Sequence, residues 1–238
     1  MFIDGVPGKG GTPEDKAGSV MKYQCARYPG ESHYYIGEFM PGAANAQAED
    51  IVEMLLEKVC FNTRKVAGHL DRCKVYIDLF GFSRGGATAV RVAHRLNEEF
   101  KCSRCGVEDQ KFLAQWVRFL GIIDPDNTGM KMWPFFVWKE AIPDNVAHYF
   151  VAYSDKGRKY HEYYRVPKFP LGHTKKERWH EIEHGPIGVA REAPEKRGEE
   201  PKLKQPLIDL LSEYAGAQDT KDFSKDEIEG KTGCETPR

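Results

Sequence analysis

A buried strand that runs into a serine flanked by glycines is the feature that most restricts how this chain can fold. Residues 75–80 read VYIDLF, an apolar run typical of a strand buried on both faces. GFSRGG follows at 81–86, and then come small and apolar residues at helical spacing. A strand, a sharp turn and a helix in this order place Ser83 above the end of a sheet. Gly81 and Gly85 have no side chains, so they avoid the clashes that larger residues would make in such a turn. The pattern predicts a nucleophile elbow at Ser83, against the simpler interpretation of a serine in an ordinary glycine turn.

The chemistry expected of such a serine depends on its surroundings. A serine hydroxyl is a poor nucleophile until it is exposed, oriented and placed beside a base. The elbow puts Ser83 at the N-terminus of a helix, where the helix dipole and free N–H groups favour a developing oxyanion. We expect the Arg84 amide to be the first donor of an oxyanion hole.

Other segments indicate the fold class. Short or compact apolar runs at 2–3, 33–36, 117–123 and 146–153 are predicted strands. A helix is expected over about 46–70, because its apolar residues recur at spacings of three, four or seven. Strands that alternate with amphipathic helices predict an α/β fold with a mainly parallel sheet flanked by helices.

An acid and a histidine should follow the serine along the chain. Asp124 ends an apolar strand and would lie at the same sheet edge, although it could also be a turn former, and Asp126 is a close competitor. Among the later histidines, His184 lies in EHGPIG, where glycines and a proline restrict the backbone around the imidazole. From the residues alone, His184 is equally well a candidate base or a solvent-facing histidine, and His180 and His173 are the reserves.

Composition excludes several classes of protein. The 238 residues include 35 Lys+Arg and 36 Asp+Glu, a balance that argues against a nucleic-acid partner. No apolar run approaches the roughly 20 residues of a membrane span.

The irregular spacing of six cysteines suggests reduced thiols and a cytoplasmic protein, with export without a signal peptide left open. The CxxC at 102–105 has no second pair, so we expect two ordinary thiols there and no metal site.

The composition also divides the chain. Beyond about residue 190 it becomes highly charged and poor in aromatic residues, apart from a helix-like island at 203–214. We therefore expect one domain over 1–190 and a partly disordered charged extension over 191–238. The oligomeric state is not predicted.

Several segments, in the same order, resemble a known family. LFGFSRGGATAVRVA is similar to the elbow of the α/β-hydrolase family that contains the type VI secretion phospholipase effectors. FLGIIDPD resembles that family's acid strand, and EHGPIGVA resembles its histidine loop. MFIDG, HYYIG and VAHYFVAYSDKGR are similar to further segments, so that the resemblance covers roughly residues 1–190.

The resemblance implies a serine hydrolase of the lipase, phospholipase or esterase type, acting through Ser83, Asp124 and His184 without a cofactor. It also implies that the turn after the first strand faces the elbow and supplies a second oxyanion donor, Gly5 or Val6. The substrate would be a small-molecule or lipid ester. The rival interpretation is a non-catalytic binding or interaction module on a hydrolase scaffold.

An aromatic segment follows the acid strand. Trp133, Phe135 and Phe136 lie in MKMWPFFVW at 130–138 and are the candidate substrate-binding residues. They could form a lid or wall for an acyl chain, since pockets for apolar ligands are lined in this way. Equally, they could bury their rings in the core.

Overall fold

A computed structural model describes residues 1–6, 19–28, 30–38, 40–65, 77–99, 117–126, 141–156 and 174–183. The predicted extension over 191–238, its island at 203–214 and the CxxC at 102–105 lie outside the described residues. The aromatic segment 130–138 lies outside them as well.

The described elements are six strands and three helices. The strands are β1 (Phe2–Ile3), β2 (Tyr34–Tyr35), β3 (Ile77–Phe82), β4 (Val117–Ile123), β5 (Val146–Lys156) and β6 (Thr174–Glu183). The helices are α1 (Val20–Arg27), α2 (Pro41–Lys65) and α3 (Arg84–Glu99).

All the strands form one parallel sheet in the order β2-β1-β3-β4-β5-β6. After β1 the chain crosses to one side to form β2, and then returns past β1 to form β3 and the strands beyond it. The strand order therefore reverses between β1 and β3. In open α/β sheets, ligands bind outside the carboxyl ends of the strands at such a point.

Helices cover both faces of this sheet. On one face, α2 and α3 pack on the sheet through a core that includes Ile51, Val90, Leu79, Leu120 and Val151. On the other face, α1 packs on an aromatic cluster in which the rings of Phe2 and Phe80 stack at 4.4 Å between centroids. Every residue of β3 and β4 is buried, as expected for parallel strands covered on both sides. The predicted α/β class, a parallel sheet flanked by helices, is confirmed.

Two elements were not predicted from the sequence, and one was misplaced. Helix α1 begins where the Ser19 hydroxyl accepts a hydrogen bond from the Met21 N–H at 3.0 Å, an N-cap in a segment with weak helical periodicity. Strand β6 has a highly charged sequence, and its pairing with β5 makes it a strand. Helix α2 begins at Pro41, earlier than the expected start near residue 46.

A buried ion pair joins α1 to the amino-terminal part of the sheet. The Arg118 Nε donates to Asp78 Oδ1 at 2.9 Å, and the Tyr28 hydroxyl donates to the same carboxylate. Arg118 is the extra residue of a β-bulge, because Ile77 pairs with Val117 while Asp78 pairs with Phe119. Burial, and then the Asp78 charge, raise the pKa of Tyr28 well above its ordinary value, so its hydroxyl remains a donor.

The expectation of reduced thiols is wrong at Cys25 and at the cysteine bonded to it. Cys25 lies in α1, is buried against the aromatic core and is disulfide-bonded. The spacing of cysteines in the sequence cannot reveal such a bond, because pairing depends on which residues the fold brings together. A cytoplasmic location stays a prediction. Within the described part of the chain, no helix is both long and apolar enough to span a membrane.

Candidate active site

Ser83 lies on a strained turn between β3 and α3. Its φ of 54° is in the left-handed region, which is unfavourable for a residue with a Cβ. Ser83 is buried, with 8% of the residue exposed. The main-chain carbonyl of Ser83 accepts hydrogen bonds from the Gly86 N–H at 3.0 Å and the Ala87 N–H at 3.4 Å, which start the helix. The strand, tight turn and helix predicted from GFSRGG are therefore present.

Two glycines make this turn possible. A Cβ built on Gly81 would lie 2.5 Å from the Gly85 carbonyl oxygen, and one built on Gly85 would lie 2.2 Å from the carbonyl oxygen of Ile3. Both distances are far inside van der Waals contact, so no other residue fits at either position. The start of α3 is thereby held against the end of β1.

Asp124 follows β4 and adjoins the elbow. Like Ser83 it has a positive φ, 41°, and its side chain is fully buried. Backbone hydrogen bonds flank it: the Ser83 N–H donates to the Ile123 carbonyl at 2.9 Å, and the Asp126 N–H donates to the Ser83 carbonyl at 3.0 Å. The turn that carries the serine and the turn that carries the acid are therefore one connected unit at the carboxyl edge of the sheet.

The Asp124 carboxylate is oriented by Ser154, near the end of β5. The Ser154 N–H donates to Asp124 Oδ1 at 3.2 Å, and the Ser154 hydroxyl donates to Oδ2. These two bonds fix the orientation of the carboxylate at the edge of the sheet.

A second buried carboxylate, Asp4, lies after β1. Its Oδ1 accepts a hydrogen bond from the Gly5 N–H at 2.7 Å, and its Oδ2 accepts one from the Tyr34 hydroxyl at 2.6 Å. Burial, and then the Asp4 charge, raise the pKa of Tyr34 well above its ordinary value, which keeps its hydroxyl a donor. These contacts hold the turn after β1 in a defined conformation.

This geometry bears on the second oxyanion donor, which stays a prediction. Gly5 lies beside the elbow as expected, since a Cβ built on it would be 3.1 Å from Ser83 Cβ. Its N–H, however, donates to the Asp4 carboxylate. The sequence left two candidates for the second oxyanion donor, Gly5 and Val6, and we therefore prefer Val6.

Other predicted residues lie outside the described residues: His184, His173, Trp133, Phe135 and Phe136. Strand β6 ends at Glu183, the residue before His184, and it is parallel to β3 and β4. His180 lies within β6 and pairs in register with Ser154, the residue that orients Asp124. Among the described residues, no group of three or more His, Cys, Asp or Glu side chains could hold a metal ion.

No family model, curated protein sequence or solved structure matches the chain. The chemistry must therefore be inferred from the site itself.

Sequence reasoning missed two residues that shape the site. Ser154 directly follows the predicted strand 146–153, and a polar residue at the end of a parallel strand is a usable signal for a place at the ligand-binding edge. Tyr34 was assigned only to a short strand. Nothing in its local sequence indicates that its hydroxyl reaches Asp4, which is 30 residues away.

Proposed function

We propose that the protein is a serine hydrolase that cleaves carboxylic esters, of the lipase, phospholipase or esterase type, on an α/β-hydrolase-like scaffold. The observation that carries the proposal is the strained Ser83 turn, bonded through its backbone to the turn of Asp124. Strain of this kind persists only where the surrounding structure enforces it, and it is frequent at catalytic sites.

The arrangement of the sheet supports the same proposal. Ser83 follows an interior strand, Asp124 follows the neighbouring strand, and His184 comes after β6, so the chain order is serine, acid, histidine. The turn after β1 lies on the other side of the serine. A second oxyanion donor from that position is what α/β-hydrolases use.

In the proposed reaction, Ser83 Oγ attacks the ester carbonyl carbon while His184 takes the hydroxyl proton. The Arg84 and Val6 N–H groups stabilise the tetrahedral oxyanion, and Asp124 orients the imidazole and stabilises its positive charge. The intermediate collapses and expels the alcohol, which receives its proton from His184. Water, activated by the same imidazole, then hydrolyses the acyl-enzyme and releases the carboxylic acid.

The base is the member of the triad that most needs a test. Strand β6 is two strands from β4, a separation of about 10 Å, so the chain after Glu183 must turn back towards Ser83 to deliver His184. We expect His184→Ala to abolish esterase activity and His180→Ala to retain it. An active His184→Ala protein together with an inactive His180→Ala protein would assign the base to His180 instead.

The nucleophile is tested with a fluorophosphonate probe and a 4-nitrophenyl butyrate assay. The wild-type protein should be labelled and active, Ser83→Ala should be neither, and Ser32→Ala should behave as wild type. Ser32 is a matched control because it too is buried but precedes the amino end of β2. Labelling that persists in Ser83→Ala would refute the assignment of the nucleophile. A wild-type protein that neither reacts nor hydrolyses esters would favour the binding-module alternative.

The substrate class is proposed only as far as the residues allow. Trp133, Phe135 and Phe136 follow the acid strand and are the candidates to contact an acyl chain. Their replacement by alanine should lower kcat/KM for 4-nitrophenyl decanoate more than for the acetate, if they contact the chain. An equal loss for both esters would assign them to the core.

A further inference from the structure

Arg84, beside the nucleophile, is a buried arginine with an unbonded side-chain nitrogen among the described residues. Arg84 is the first residue of α3 and directly follows Ser83. It is only 9% exposed, and its Nε atom is buried without a hydrogen-bond partner. Among the residues that the structure describes, no carboxylate forms an ion pair with it.

The other arginines whose side chains are described differ in this respect. Each of them contacts a carboxylate: Arg91 and Arg95 contact Glu49, and Arg118 contacts Asp78. The two buried carboxylates nearest the elbow, Asp4 and Asp124, are bound by Tyr34 with the Gly5 N–H, and by Ser154. Among the arginines whose side chains are described, Arg84 is therefore the exception, and it is next to the proposed nucleophile.

A buried arginine whose Nε is unbonded is unfavourable, because the side chain stays charged at any physiological pH and gains no counter-charge among the described residues. Its planar set of N–H donors matches a carboxylate or a phosphate, which it can bind through two parallel hydrogen bonds. The N-terminus of α3, at the same residue, adds positive potential. A ligand anion would supply the missing partner.

We propose that the Arg84 side chain binds an anionic group of the substrate, a carboxylate or a phosphate, and so selects anionic esters over neutral ones. This inference rests on the proposed ester hydrolysis and adds the substrate's charge to it. The Arg84 amide and guanidinium then have separate roles: the amide binds the oxyanion, and the guanidinium recognises the rest of the substrate.

The kinetic test compares two esters that differ only at the end of the acyl chain, 4-nitrophenyl hexanoate and mono-4-nitrophenyl adipate. We expect Arg84→Gln to lower kcat/KM for the adipate ester about ten- to a hundredfold more than for the hexanoate, the usual effect of losing a charged hydrogen-bonded pair. Arg84→Lys, which keeps the charge but loses the planar fork, should fall between wild type and Arg84→Gln. Arg91→Gln is the control, because Arg91 lies in the same helix but contacts Glu49 of α2. It should leave the ratio of kcat/KM for the adipate ester to kcat/KM for the hexanoate unchanged. An unchanged ratio in Arg84→Gln would overturn the inference.

A binding test separates failure of this inference from failure of the proposed function. Inorganic phosphate or adipate should raise the thermal unfolding midpoint of Ser83→Ala at constant ionic strength, and Arg84→Gln in that background should abolish the rise. A larger effect of phosphate would indicate a phosphate group, and a larger effect of adipate a carboxylate. An absent rise, or one equal in both proteins, refutes the anion site whether or not any ester is hydrolysed. A wild-type protein that binds phosphate through Arg84 but hydrolyses no ester would refute only the proposed function.

Discussion

The two ends of β3 and β4 contain similar side chains in opposite electrostatic situations. Near the amino ends, the Arg118 guanidinium meets the Asp78 carboxylate and the Tyr28 hydroxyl, so each charge is compensated. Beyond the carboxyl ends, the buried Arg84 guanidinium has an unbonded Nε, and both turns have positive φ. This difference between the two ends of the strands is the observation on which the proposed anion site at Arg84 rests.

The largest effect that this comparison predicts is on catalysis. We expect Asp124→Asn to lower kcat for 4-nitrophenyl butyrate about 10⁴-fold, because an amide no longer holds the imidazole in the required tautomer. Urea unfolding of the same variant shows whether the protein remains folded. An active Asp124→Asn variant would transfer the role of the acid to another residue, with Asp126 as the first to examine.

The matched substitution at the opposite end should act on stability instead. Asp78→Asn leaves Arg118 without a buried counter-charge, and we expect the free energy of unfolding to fall by about 3–5 kcal/mol. The activity per folded molecule should be unchanged, as measured below the onset of unfolding. A loss of kcat in a fully folded Asp78→Asn protein would contradict the assignment of stability to the amino ends of these strands and of catalysis to their carboxyl ends.

Crowding at the elbow gives the next largest effect. Gly85→Ala places a Cβ against the carbonyl oxygens of Ile3 and Asp4, and should destabilise the protein by about 3 kcal/mol and reduce activity as α3 moves away from β1. The matched control is Gly42→Ala in α2, where nothing lies within 4 Å of the new Cβ. That substitution should stabilise the protein by about 0.5 kcal/mol. Equal unfolding midpoints for the two variants would show that the close approach at Gly85 is unimportant.

The smallest effect is expected at Ser154. Ser154→Ala removes the hydroxyl that orients Asp124, and should lower kcat about tenfold with little change in KM, whereas Ser154→Thr should retain activity. This separation of kcat from KM distinguishes a positioning residue from a structural one. A variant that loses only stability would assign Ser154 to the core.

The parts of the fold that the sequence predicts are those with strong local signals. The runs that became β3, β4 and β5 are mostly apolar, with isolated polar residues such as Asp78, Arg118 and His148. The elbow glycines follow from the steric requirements of a single turn. Strand β6 was missed because TKKERWHEIE has no apolar run, and only the free edge of β5 makes it a strand. Helix α1 was missed for the same kind of reason, since its packing on the aromatic cluster outweighs its weak periodicity.

The candidate site shows the same limit. Ser83 and Asp124 were found because each lies directly after an apolar run, so their place at the sheet edge follows from the sequence. The contact from Ser154 to Asp124, and that from Tyr34 to Asp4, each span 30 residues and depend on strand register. The bond from the Gly5 N–H to Asp4 is local, but it reflects a side-chain conformation that a sequence pattern cannot specify.

The main-chain carbonyl oxygen of Ser83 connects the start of α3 to the segment after β4. The oxygen of Ser83 receives N–H groups from the first turn of α3 and also from Asp126 in the segment after β4. A change in that segment would therefore disturb the start of the helix and the amide of its first residue. A screen of random substitutions for inactive but folded protein should consequently recover positions beside Asp126 as well as those of the glycine turn.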